Sequence, residues 1–240
     1  MPISVPDRAA ANAAPIGTPT VSVVLPAYNE EAGLAVVLGR LRDVLDDSYE
    51  IVVVDDGSSD MTASVAAAHD CRLIRHETNR GKGAALQTAL DHVRGEYVVF
   101  VDADDTYPCE AIPLMVRALE TNDMVIGVRQ SGRFNISPVN RVGNAFFRAL
   151  ISIAAGRHVA DPLTGLYALR RGLLERIAIR SQGFGIEAEI VIKAGRAGAR
   201  IQEIPVDYRP RIGESKLRPL RDGMVITRTI WRVAHSQLPD

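Results

Sequence analysis

The chain has 240 residues, is 47% hydrophobic and 24% charged, and carries a formal net charge of −1. That is the make-up of a globular protein able to bury one large core, and not of a disordered or disulfide-stapled chain. Its charge is unevenly placed: residues 1–120 hold 9 Lys+Arg against 19 Asp+Glu, a balance of −10, and residues 121–240 hold 19 against 10, a balance of +9.

An excess of cations in the second half calls for an anionic partner there: a phosphate, a nucleic acid or a membrane surface. Cys71 and Cys109 form neither a disulfide framework nor a metal motif, which points to a reducing compartment. No stretch approaches the ~18 uninterrupted apolar residues of a membrane span, so any membrane contact is expected to be peripheral. Residues 1–19, rich in Ala and Pro without a basic start, are expected to be a disordered tail and not a signal peptide.

Taken in order, Val21 to Pro26 is a buried strand ended by proline. Asn29 is expected to cap a helix with Glu30 and Glu31 in its first turn and a stripe of Leu34, Val37, Leu38, Leu41 and Leu45. Glu50 to Val54 is a second strand, closed by Asp55-Asp56-Gly57-Ser58-Ser59-Asp60, where Ser58, Ser59 or Asp60 can cap a helix running to about Ala68. A short strand over Arg72 to His76 leads through Asn79-Arg80-Gly81-Lys82-Gly83 into a helix over Ala84 to Val93. The strand over Tyr97 to Asp102 ends in three carboxylates, Asp102, Asp104 and Asp105, before Pro108. A helix over Glu110 to Leu119 and a strand over Met124 to Val128 complete an alternation that predicts an α/β fold with a mainly parallel sheet.

Beyond Arg129 the pattern loosens. Gln130 to Pro138 reads as a loop, Ala145 to Ala155 as an apolar stretch studded with Arg141, Arg148 and Arg157, and Asp161 to Gly165 as a turn into a strand over Leu166 to Leu169. Ile186 to Ala197 is helical, Arg200 to Tyr208 a strand, Arg211 to Pro219 a basic loop, and Asp222 to Ala234 helical again.

Carboxylates two apart at a strand end, Asp102 and Asp104 around a small Ala103, suit a hard divalent cation that also holds phosphates; a solvated acidic turn has the same sequence. Gly81-Lys82-Gly83 at a helix start offers backbone N–H groups and an ammonium to a phosphate, although neither a P-loop nor a dinucleotide fingerprint is present. Asp55 or Asp56 can accept from a base N–H, with Tyr28 against the base or ribose, and Ser58 equally fits a helix cap.

Pro26-Ala27-Tyr28-Asn29-Glu30-Glu31, Val54-Asp55-Asp56-Gly57-Ser58, Asn79-Arg80-Gly81-Lys82-Gly83 and Asp102-Ala103-Asp104 occur in an order and spacing that resembles family 2 glycosyltransferases. Asp161-Pro162-Leu163-Thr164-Gly165, Gly183 to Glu189, Ile204-Pro205-Val206 and Arg211-Ile212-Gly213-Glu214-Ser215-Lys216 are similar to the dolichol- and polyprenyl-phosphate sugar transferases, over roughly residues 20–235. The resemblance implies a GT-A (Rossmann-like) mixed sheet with helices on both faces. It implies a domain over 20–217, with 20–128 binding nucleotide sugar and 129–217 binding acceptor and phosphate, followed by an amphipathic segment over 218–240.

Carried over, Asp56 reads the base, and Pro26, Tyr28, Glu30, Lys82 and Ala103 line the donor pocket. Asp102 and Asp104 bind Mg²⁺ or Mn²⁺ with the diphosphate. Arg129, Arg141, Arg211, Ser215 and Lys216 hold phosphates, and the catalytic set is Asp104, Asp161, Arg211 and Lys216. Thr106 stands where many relatives have Gln, and Leu166-Tyr167 where many have Phe-Arg. An acceptor phosphate needs little base catalysis, whereas a hydroxyl acceptor needs a carboxylate base, Asp161 first, with Glu187 or Glu189 in reserve.

The expected activity is therefore an inverting hexosyl transfer from GDP-mannose or a UDP-hexose or UDP-N-acetylhexosamine to polyprenyl phosphate, supplying a lipid-linked donor for envelope glycans. A glycosyltransferase acting on a glycan or small hydroxyl, and a non-catalytic GT-A scaffold, are the competing readings. Phe146, Phe147, Leu150, Ile151 and Ile153 among their arginines, and Val225, Ile226, Ile230, Trp231 and Val233 beside Arg221, Arg228 and Arg232, suit interfacial helices or helices packed on the core. The expectation is a cytoplasmic, peripheral protein, with a separate membrane-protein partner possible and no nucleic-acid partner, since no recognition module is present.

Overall fold

The computed structural model describes residues 20–131, 138–216 and 218–236. The expected N-terminal tail, most of the loop over 130–138 and the end of the 218–240 segment lie outside the described residues. Strands and helices alternate: β1 (Val21–Ala27), α1 (Glu31–Val44), β2 (Tyr49–Asp55), α2 (Thr62–Ala67), β3 (Arg72–Arg75), α3 (Lys82–Leu90), β4 (Tyr97–Val101), α4 (Ile112–Ala118) and β5 (Met124–Ser131). Then follow α5 (Pro138–Ala155), β6 (Leu166–Arg170), α6 (Arg171–Ile177), α7 (Ile186–Arg196), β7 (Ile201–Asp207) and α8 (Pro219–His235).

The strands form one seven-stranded sheet in the order β3-β2-β1-β4-β6-β5-β7. β1 pairs in parallel with both β2 and β4, β5 in parallel with β7, and β6 runs antiparallel between β4 and β5. This is the mixed, mainly parallel sheet expected from the sequence, and it is continuous across residue 128. The strands are runs of β-branched residues because both faces are covered. Val24, Val52, Val54, Val98 and Phe100 point into a core under α3, α5, α6, α7 and α8. Val23, Leu25, Val53, Val99 and Val101 point into a second core under α1, α2 and α4.

Two local expectations are corrected, and one helix is new. Asn29 does not cap α1: it adopts a left-handed backbone (φ 52°), and its Oδ1 accepts from Ser59 N at 2.8 Å. The first N–H groups of α1 are met across the chain, Glu30 N donating to Thr62 Oγ1 at 2.9 Å and Glu31 N to Asp60 Oδ2 at 3.3 Å, while Met61 N donates back to Glu31 Oε2 at 2.8 Å. Each helix start thus caps the other, which no local capping pattern reveals. Of the residues offered as caps for α2, Ser58 Oγ instead accepts from Asn29 N, whereas Asp60 Oδ1 accepts from Thr62 N at 3.0 Å at the helix start. Finally α6, whose Leu173, Leu174 and Ile177 are buried, was not foreseen, because seven residues carry too little periodicity to read.

Candidate active site

Chain connectivity reverses at β1, from which β2 and β4 lie on opposite sides, and a crevice opens where the loops after β1 and β4 part. The antiparallel course of β6 brings its first residue to the same rim, since Leu166 pairs with Val101. The loops holding Glu30, Asp102 to Thr106, Asp161 to Gly165 and Arg209 to Lys216 therefore converge, although they come from distant parts of the sequence.

The three carboxylates after β4 take three different partners. Asp102 Oδ1 lies 2.7 Å from Lys82 Nζ, which is also 2.7 Å from Glu187 Oε1 on α7. On its other side, a Cβ at Gly165 would stand 1.9 Å from Asp102 Oδ2, so only glycine leaves that oxygen its place. Asp104 Oδ1 accepts from the backbone N and hydroxyl of Thr106 at 3.1 and 2.5 Å, while Oδ2 accepts from Arg211. Asp105, at φ 59°, turns away to Arg40 Nε at 2.9 Å and Arg209 Nη1 at 3.6 Å.

Arg211 bridges two carboxylates, Asp104 through Nη1 and Glu30 through Nη2. Its loop is pinned to the acidic loop by backbone bonds, Arg209 N to Thr106 O at 2.9 Å and Ile212 N to Asp104 O at 3.0 Å. Burial raises the Glu30 carboxyl to about 7 against the pull of Arg211, with Asp104 adding to the rise. Asp104 is raised as well, by burial and by Asp102, with Arg211 opposing. Burial alone would lower Lys82, but Asp102 and Glu187 outweigh it and hold the ammonium charged.

Several residues expected to face ligand are instead bound within the chain. Lys82 is on carboxylates, anchored where the 181–183 segment presses so close that a Cβ on Gly83 would be 2.2 Å from Ser181 O. Asp56 is buried and accepts from Arg80 N at 2.9 Å, Gly81 N at 2.7 Å and His76 Nδ1 at 2.6 Å, tying the Lys82 loop to the end of β2. Asp161 accepts from Arg129 N, Nε and Nη2 at 3.1, 2.7 and 2.6 Å, and the guanidinium of Arg129 also lies over the Tyr208 ring at 5.4 Å. Glu189 pairs with Lys193 Nζ at 2.7 Å and accepts from Ser181 N.

Pro26 borders the small cavity at Lys82 and Asp102, and Ala103 is buried between the two carboxylates. Tyr28 is half-buried just after β1, Lys216 lies close enough to Glu30 for its charge to act there, and Ser215 and Arg141 are exposed. A cavity of about 400 Å³ beside Asp56 is lined by Gly57, Ser58, Arg75, His76 and Glu77. Sequence reasoning missed His76 and also Tyr107, whose hydroxyl accepts from Gly165 N at 2.7 Å and fixes the glycine against Asp102. Its place right after the acidic run was the available signal.

Asp102 and Asp104 offer two hard oxygen ligands suited to a divalent cation, and Asp102 Oδ2 is given room by a glycine; among the described residues no third His, Cys, Asp or Glu completes a protein-only metal shell, which leaves further positions to a substrate's phosphate oxygens.

Residues 22–178 match the family described as Glycosyl transferase family 2. A dolichyl-phosphate hexose transferase of Haloferax volcanii is 36% identical over 215 residues, covering 89% of this chain and 93% of that protein. An undecaprenyl-phosphate mannosyltransferase of Micrococcus luteus is 34% identical over 232 residues, covering 89% and 94%. Among solved structures, glucosyl-3-phosphoglycerate synthase from Mycobacterium tuberculosis, in complex with Mn²⁺, UDP and phosphoglyceric acid, superposes with a TM-score of 0.75 at 29% identity. It covers 92% of this chain and 80% of its own.

Proposed function

The chain belongs to glycosyl transferase family 2, and within it we propose that this protein moves a hexosyl group from a nucleotide sugar to polyprenyl or dolichyl phosphate. The observation that supports this reading is the backbone pairing of the basic loop Arg209 to Lys216 onto the acidic loop Asp102 to Thr106, which brings carboxylates suited to a cation beside basic side chains suited to phosphate.

Residues 20–128 supply the donor half and residues 129–217 the acceptor half. The base enters the cavity at Gly57, Ser58, Arg75 and His76, with Tyr28 nearby and Asp56 holding the cavity's wall. Asp102 and Asp104 would hold Mg²⁺ or Mn²⁺, which would supply positive charge to the leaving diphosphate. Arg211, Ser215 and Lys216 hold the phosphates, Arg211 nearest the leaving group. The acceptor phosphate oxygen forms its bond to the anomeric carbon as the bond to the nucleoside diphosphate breaks, with inversion. An acceptor that is already an anion needs no proton removed, which agrees with Asp161 being fully engaged by Arg129.

Access to a lipid is supported by α5 and α8, which pack together and expose Val142, Phe146, Ile153, Leu220, Met224 and Trp231 beside Arg141, Arg148, Arg221 and Arg228. Among the described residues no helix is long and apolar enough to cross a membrane. We take these two helices to lie on the cytoplasmic face of an anionic bilayer, alone or against a membrane-protein partner.

A second reading, transfer to a small phosphorylated or hydroxyl acceptor, is favoured by the structural likeness to the phosphoglycerate-bound synthase. Incubating purified protein, Mn²⁺ or Mg²⁺ and polyprenyl phosphate with a panel of radiolabelled GDP- and UDP-sugars separates the two. Label extracted into organic solvent with one donor is expected; label confined to the aqueous phase selects the second reading.

A further inference from the structure

Arg211 sits on the oxygen of Asp104 that Thr106 leaves open. Oδ1 already accepts two bonds from Thr106, and Oδ2 accepts from Arg211, whose other end lies on Glu30. Both carboxylates are buried, yet Glu30 Oε2 and Arg211 Nε lack hydrogen-bond partners. The ion pair is therefore close but incompletely satisfied, unlike one built for permanence.

The local charge points the same way. Glu30, Asp102, Asp104 and Glu187 face Lys82 and Arg211, with Lys216 near enough to act on Glu30, so carboxylates outnumber cations around Asp104 and a divalent cation would be drawn there. With that cation on Asp104, Arg211 would be left beside a like charge and repelled. The bonds of Arg209 N and Ile212 N keep the loop's stem on the acidic loop, so that rotation of the Arg211 side chain is enough to separate the charges.

We infer that Arg211 is a resident counter-cation that changes places with the divalent cation. Without the cation, its guanidinium neutralises Asp104 and Glu30; with the cation bound, it is released towards the diphosphate. This rests on Asp102 and Asp104 being the cation site, and it makes engagement of phosphate by Arg211 conditional on cation entry. Glu30 then serves as a positioning residue that parks Arg211.

Binding of Mn²⁺ to the full chain without nucleotide or lipid, followed by the electron paramagnetic resonance of free Mn²⁺, tests the exchange. Arg211→Gln should bind Mn²⁺ about tenfold more tightly than the unsubstituted chain, because the competing occupant is gone. In the unsubstituted chain, Mn²⁺ should speed modification of the Arg211 guanidinium by phenylglyoxal, read by peptide mass mapping, a readout that stands if the variant fails to fold. Equal or weaker Mn²⁺ binding by a folded variant, or modification of Arg211 indifferent to Mn²⁺, overturns the exchange while leaving the transferase reading intact. Absence of Mn²⁺ binding by either chain removes the cation site and the exchange with it.

Discussion

Lys82 and Arg211 solve the same electrostatic problem in neighbouring parts of one cleft, and they solve it differently. Each bridges two carboxylates, Lys82 joining Asp102 to Glu187 and Arg211 joining Asp104 to Glu30. Lys82 opens α3, its second partner stands in the first turn of α7, and Gly83 lets the 181–183 segment close over the helix start. Arg211 hangs from a loop and leaves acceptors and donors unmatched. Identical charge chemistry thus yields a fixed strut on one side and an exchangeable cation on the other; the difference comes from the elements that carry the residues.

The largest effect that probes this contrast is loss of the shared acid. Asp104→Ala should lower turnover by at least ~10³-fold, as removal of a group that stabilises leaving-group charge does. Near-normal transfer of label by this variant would remove Asp104 from the cation site. Next comes stability. Lys82→Met leaves the buried Glu187 and the half-buried Asp102 without their cation and should cost about 3–5 kcal/mol in urea unfolding with or without Mn²⁺, whereas the cost of Arg211→Gln, which bares Asp104 and Glu30, should shrink when Mn²⁺ is added. Losses equally indifferent to Mn²⁺ in both variants would erase the distinction between strut and exchangeable cation.

These pairings also mark the limit of what the sequence discloses. The strands were legible because Val52 to Val54 and Val98 to Val101 are unbroken β-branched or aromatic runs, and the acidic and basic loops stood out by composition. Which cation faces which anion was not legible. Arg211 meets Glu30 across 181 positions, and Lys82, expected on a phosphate, meets Glu187 of α7. Those meetings follow from β6 running antiparallel and from β7 joining the far edge of the sheet, and nothing within either loop encodes them. Arg129 was expected on a phosphate and Asp161 as a base, and their mutual bidentate bond was hidden by the same topology.

Two smaller effects sharpen the comparison on the loop side. Lys216→Ala should raise the apparent KM for polyprenyl phosphate several-fold while changing that for the donor less, about the loss of one charge-assisted contact. Equal changes in both would put Lys216 on a phosphate shared by the two substrates.

Glu30 should leave a pH signature. The folded protein holds its proton up to about 7, against 4.5 for the free side chain. Unfolding therefore releases a proton between those values, and this residue's contribution to stability falls as pH rises through that window. Comparing unfolding of the unsubstituted chain and Glu30→Gln from pH 5 to 7.5 should show a shallower decline in the variant, by roughly 1 kcal/mol after allowance for solvent screening. Parallel curves would mean that Glu30 ionises alike in both states.

The account as a whole turns on an acceptor that arrives already charged, because the one carboxylate favoured as a base is locked to Arg129. The most direct measurement offers the purified protein two lipids of equal chain length in the same vesicles, polyprenyl phosphate and the dephosphorylated polyprenol, with Mn²⁺ and the labelled nucleotide sugar it uses. Label on the phosphate alone is the predicted result; comparable labelling of the free alcohol would contradict it.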